Sequence, residues 1–139
     1  MASYVDRIIF LDASGKNVLA HSSDSITISS GLTINGNLVI GAGVSSNLVS
    51  KTANYTILAT DYIISIGTLS TGITISLPAS PSNGATYTVV DGSGSAASHT
   101  IVVDGNGHNI AGASTYNMDI RYESLTVVYD SANTVWVVI

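Results

Sequence analysis

An all-β fold is expected from three observations. No stretch places apolar residues at i, i+3, i+4 and i+7 over the roughly 11 residues that a helix needs. Short β-branched runs recur instead, near 4–11, 17–21, 55–58, 61–67, 73–77, 86–91, 99–103, 116–120, 124–129 and 134–139. Turn signals separate several of them: Asp12-Ala-Ser-Gly15, Pro81-Ser-Asn-Gly84, Asp91-Gly-Ser-Gly94, Asp104-Gly-Asn-Gly107 and Asp130-Ser-Ala-Asn133. Such spacing predicts an antiparallel β-sandwich or barrel. Both prolines agree with it, Pro78 closing the run Ile73–Leu77 and Pro81 sitting in the next turn.

In chain order, residues 1–24 read as a hairpin or arm with Ile8, Phe10, Val18 and Leu19 as its apolar content. Residues 25–50 form a Gly/Ser/Asn-rich middle. Residues 51–139 carry both prolines and the only Trp, and are long enough to bury a modest core of their own.

Composition excludes several function classes. Charged residues make up 9% of the 139-residue chain, against about 25% in an ordinary domain. A net charge of -5 argues against a nucleic-acid partner. No apolar run approaches the roughly 18 residues that span a bilayer, so no membrane partner is expected. The opening MASYVDRIIF lacks the basic, apolar and small-residue order of a secretory signal. Zero cysteines exclude disulfides, thiolate metal sites and Cys nucleophiles.

The middle segment has a repeat. In sixes it reads Ile26-Thr-Ile28-Ser-Ser-Gly31, Leu32-Thr-Ile34-Asn-Gly-Asn37, Leu38-Val-Ile40-Gly-Ala-Gly43. Aliphatic residues fall at the first and third place of each unit, and strand alternation puts each pair on one face. Burying a Leu or Ile is worth about 1.5–3 kcal/mol, so Ile26, Ile28, Leu32, Ile34, Leu38 and Ile40 represent on the order of 10 kcal/mol. One thin segment has nothing to cover such a stripe. A meander folding back on the C-terminal domain would bury it, with Asn35–Asn37 as a tight turn. So would a β-shaft in which three identical chains wind about one axis, each stripe facing two copies of itself. The shaft is the expected arrangement, because three-residue strands are poor hairpin partners.

The C-terminal region adds a resemblance. Lys51-Thr-Ala-Asn-Tyr-Thr-Ile-Leu-Ala-Thr-Asp-Tyr-Ile-Ile, then Gly72-Ile-Thr-Ile-Ser-Leu-Pro78 and Gly84-Ala-Thr-Tyr-Thr-Val-Val-Asp-Gly-Ser-Gly94 resemble a small β-domain of bacteriophage fibre and virion-surface proteins. The likeness continues through His99-Thr-Ile-Val-Val-Asp-Gly-Asn-Gly107, Ile110-Ala-Gly112 and Leu125-Thr-Val-Val-Tyr-Asp130, ahead of Trp136. It covers most of residues 51–139, and the hexads are similar to the triple-stranded shafts of such proteins. The resemblance implies a homotrimeric β-knob on a phage particle. The chain is far shorter than a typical long tail fibre, which favours a capsid decoration, cement or head-fibre role over a tail-fibre tip. The arm would then dock on the major capsid protein or another virion protein, with Tyr4, Ile8, Phe10 and Leu11 as apolar contacts and Asp6 and Arg7 as polar ones. A bacterial surface glycan is the partner expected of the alternative, a receptor-binding tip.

The remaining motifs have plainer readings. Gly92-Ser-Gly94-Ser-Ala-Ala97 superficially matches a dinucleotide fingerprint, but a strand-forming run follows it instead of the helix that motif requires. Asp104-Gly-Asn-Gly-His108 begins like a calcium loop, yet Thr115 stands where the bidentate Glu belongs. Asp104 and Asn106 suit a turn better, as do Asp12, Asp91 and Asp130 at strand ends. Asp119 and Glu123 flank Arg121 as a surface ion-pair patch. No Gly-x-Ser-x-Gly elbow leads into a helix. Neither metal, cofactor nor enzymatic activity is expected. Among the aromatics, Tyr87, Tyr129 and Trp136 lie inside strong strand patterns and are expected in a core or interface. Tyr116 and Tyr122 flank the polar stretch Asn117–Arg121 and are the candidate glycan contacts.

Overall fold

A computed structural model describes residues 45–139, all within one compact unit, Ala42–Ile139. Ten strands form two sheets: β1 Leu48–Lys51, β2 Tyr55–Thr56, β3 Ile63–Ile66, β4 Ile73–Ser76, β5 Thr86–Asp91, β6 Ile101–Asp104, β7 Asn109–Ile110, β8 Thr115–Met118, β9 Ser124–Asp130 and β10 Val135–Val138. The described residues contain no helix. The larger sheet runs β1-β3-β5-β9-β10-β7 and the smaller one β2-β4-β6-β8.

The all-β class holds among the described residues, but the expected antiparallel pairing is corrected: both sheets are mixed. β1, β3 and β5 are parallel to one another, as are β2, β4 and β6. The chain alternates between sheets from β1 to β8, so the first six strands make three windings, each laying one strand in each sheet. A parallel pair needs a crossover, and the intervening strand of the opposite sheet supplies it. Turn residues between β1 and β6 therefore lead to the opposite sheet, whereas Asp130–Asn133 closes a hairpin between β9 and β10. Antiparallel pairs appear only later, as β8 joins β6, β9 joins β5 and β10 joins β9.

Register stacks the inward residues into ladders. Val49, Ile64, Val89 and Leu125 align across the larger sheet. Tyr55, Ile75, Val103 and Tyr116 align across the smaller one, beside Ile73, Ile101 and Met118. The inward residues of both sheets join one hydrophobic cluster. Alternation explains this arrangement: in β5 the pattern Thr-Tyr-Thr-Val-Val-Asp buries every second residue. Trp136 lies at the centre with no exposed surface, its ring 5.8 Å from Tyr87 and 5.0 Å from Tyr129. All three aromatics are buried, as their strand patterns predict.

β1 begins at Leu48, so the larger sheet takes in residues from the segment 25–50 as the sequence divides it. The hexad positions Ile26, Ile28, Leu32, Ile34, Leu38 and Ile40 lie outside the described residues, as do the arm residues Tyr4, Asp6, Arg7, Ile8, Phe10 and Leu11.

Candidate functional site

Of the sequence-predicted contacts, Tyr116 and Tyr122 fall in the described structure, at the crossing from β8 to β9. Asp119–Glu123 makes that crossing as a tight turn, closed by the Glu123 amide donating to the Ile120 carbonyl at 3.2 Å. The Glu123 carboxylate sits inside the turn, accepting from the amides of Asp119 at 3.1 Å and Ile120 at 3.2 Å and from the Tyr116 hydroxyl at 3.0 Å. Arg121 Nε donates to the Gly94 carbonyl at 3.3 Å. The expected Asp119–Arg121–Glu123 ion-pair patch is thus replaced by backbone capping: a carboxylate next to free amides accepts from them directly.

Tyr116 is corrected as an exposed contact. It stands on the inward ladder of β8, half-buried against the core, with its hydroxyl committed to Glu123. That hydrogen bond, then burial and the nearby carboxylate charge, raises its phenol above the ordinary value of 10.0. Tyr122 is different. It is 66% exposed and adopts φ 60°, a left-handed conformation that bulky residues rarely take. Its ring lies on Gly94, where a Cβ would meet the ring at 2.7 Å. Ile120 beside it is also 66% exposed. The turn therefore presents an aromatic ring and an aliphatic side chain to solvent.

The residue that holds Tyr122 in place is Asp91, which sequence reading placed only as a turn residue. Asp91 ends β5 pointing inward and is fully buried. Its Oδ2 accepts from the amides of Tyr122 at 3.1 Å and Ala96 at 3.0 Å, and its Oδ1 from the amide of Ser95 at 2.9 Å. Burial pushes this carboxyl up, but the amides of Ala96, Tyr122 and Ser95 outweigh it and hold the group below its usual 3.8. One carboxylate thus ties the Gly92–Ala97 turn to the Asp119–Glu123 turn. The Gly-rich stretch is confirmed as a turn: β6 follows it, and no helix does.

The other carboxylates behave as turn residues. Asp104 accepts from the Asn106 amide at 2.9 Å, and Asn106 and Gly107 take φ 50° and 98°. Asp130 accepts from Asn133 Nδ2 at 2.7 Å and from the Ala132 amide at 2.9 Å, which lowers its pKa in that order of cause. Among the described residues, no three His, Cys, Asp or Glu side chains group as a metal site.

Replacing Tyr122 with Gly tests whether its ring is structural. Relief of the left-handed conformation, worth about 1–2 kcal/mol, opposes the lost contact on Gly94. Thermal unfolding should place Tyr122→Gly within about 1 kcal/mol of the parent protein; a loss above about 2 kcal/mol would make the ring part of the scaffold.

No family model matches the chain, and no curated protein matches it. Among solved structures it is similar to one titled "Structure of a chaperone-substrate complex", at 13% identity and a TM-score of 0.39, over 70% of this chain and 14% of that one.

Proposed function

We propose that the chain is a structural protein of a bacteriophage virion surface, a homotrimer that decorates or cements the head and displays residues 51–139 as a knob. The hexad pattern Ile26 to Ile40 in the sequence is the observation that carries this reading: strand alternation would put its six aliphatic residues on one face that requires cover, and two sister chains would provide it. The likeness of residues 51–139 to phage β-domains supports it. So does the outer face of the larger sheet, where Asp130 is the one charged residue among the outward strand positions of the described residues. A sheet face of Ser, Thr, Val and Ile suits contact with another copy without demanding desolvation of charge.

On this reading residues 1–24 dock on the shell, and the shaft matches a local threefold axis. Stabilisation comes from interface area added across neighbouring shell subunits. Labelled antibody against the knob should then mark heads in micrographs of the source particle, and free protein should leave adsorption unchanged. Labelling of tail tips together with blocked adsorption favours the second reading, a receptor-binding tip. The exposed Tyr122 supports that alternative.

Replacing Ile34 with Asp places three charges on the proposed axis. Buried unpaired charge is strongly unfavourable, so Ile34→Asp should abolish assembly while residues 51–139 remain folded. Unchanged oligomer size and melting would show that Ile34 is not in a shared seam.

A further inference from the structure

A cleft of about 360 Å³ opens between two loops that are distant from the Tyr122 turn in sequence. Ala59, Asp61 and Tyr62 come from the connection between β2 and β3; Pro78 and Pro81 come from the connection between β4 and β5; Tyr87 of β5 also lines it. Its volume falls in the lower part of the range of small-molecule pockets.

The chemistry of its floor is specific. Asp61 is only 7% exposed, and its Oδ2 accepts from the Tyr55 hydroxyl at 2.8 Å and the Leu58 amide at 2.9 Å. Its other oxygen, Oδ1, has no partner among the described residues. The hydroxyl of Tyr87, whose residue is 5% exposed and lines the same cleft, likewise has no partner among the described residues. An acceptor and a donor thus belong to residues that line one cleft and do not satisfy each other. At the rim Tyr62 is 42% exposed, and Pro78 and Pro81 add apolar wall.

We infer that this cleft binds a single neutral pyranose unit. Adjacent ring hydroxyls can donate to Asp61 Oδ1 and accept from Tyr87, while the C–H face of the sugar lies against Tyr62. Acidic sugars are disfavoured by Asp61 itself and by the net charge of -5. A bound cation is disfavoured because one carboxylate, without a second acidic side chain in the lining, makes a poor cage. The inference goes beyond the structural role proposed above and holds for a head or a tail location alike.

Saturation-transfer NMR on the full chain tests it, with methyl glucoside, methyl galactoside, methyl mannoside and N-acetylglucosamine as neutral probes. Glucuronate and calcium chloride serve as charged ones. At least one neutral probe should bind with a dissociation constant on the order of millimolar, and glucuronate should not. Tyr62→Ala should abolish the signal and Tyr87→Phe should weaken it about tenfold. Tyr122→Ala should leave it unchanged. Trp136 fluorescence confirms that each variant is folded, and the conservative Tyr87→Phe serves if Tyr62→Ala is not. Silence from every neutral probe overturns the inference, as does binding that survives both cleft variants. So does calcium binding without sugar binding. Loss in Tyr122→Ala with retention in Tyr62→Ala moves the sugar to the Asp119–Glu123 turn and also overturns it.

Discussion

Replacing Trp136 with Ala is expected to remove about 3–5 kcal/mol of stability, a large share of the roughly 5–15 kcal/mol that holds a domain folded. Trp136 is fully buried in β10, where it pairs across the larger sheet with Tyr129 and with Ile110 of β7. Its loss leaves a cavity against Tyr87 and Tyr129 that two rigid sheets cannot collapse to fill. Trp136→Phe should cost clearly less. It keeps an aromatic ring in the slot and removes the indole Nε1–H, a buried donor with no partner among the described residues. Urea denaturation followed by far-UV circular dichroism gives both values. Equal losses for the two variants would mean that volume at this position does not set stability.

The second large effect falls on Asp91. Asp91→Ala strands the amides of Ser95, Ala96 and Tyr122, each at about 1–3 kcal/mol if left buried, and should cost at least about 3 kcal/mol. The variant should also release the Asp119–Glu123 turn, seen as a change in the amide resonance of Tyr122. Acid sensitivity follows from the same contacts. The folded-state pKa of Asp91 lies below its usual 3.8, so the unfolded chain binds the proton more readily. Its contribution is therefore complete above about pH 4 and disappears as pH falls through the folded value. Melting temperature measured from pH 6 down to pH 2 should fall less steeply in Asp91→Asn than in the parent. Parallel curves would assign acid unfolding to other carboxylates.

Particular residues show what could be read from sequence and what could not. β4, β5 and β9 were legible because Ile73-Thr-Ile75-Ser, Thr86–Asp91 and Ser124–Asp130 alternate buried and half-buried residues. Direction was not legible: the alternation of Ile64 and Ile66 is identical whether β3 meets β5 in parallel or not, and connections decide it. β1 and β7 escaped because Leu48–Lys51 sits among Ser and Asn, and Asn109–Ile110 is too short to show a period. Tyr122 could be picked out by its polar neighbours, but the same neighbours misplaced Tyr116, whose outlook depends on β8 parity. The placement of Asp61 and Tyr62 in one cleft with Pro78 and Pro81 had no local signal, since that cleft forms only where two loops about twenty residues apart are brought together by winding.

The assembly claim is tested most directly by sedimentation equilibrium of the purified full chain. The account predicts a mass of three chains of 14.2 kDa, unchanged on dilution into the low micromolar range. A particle of a single 14.2 kDa chain at every concentration would contradict it.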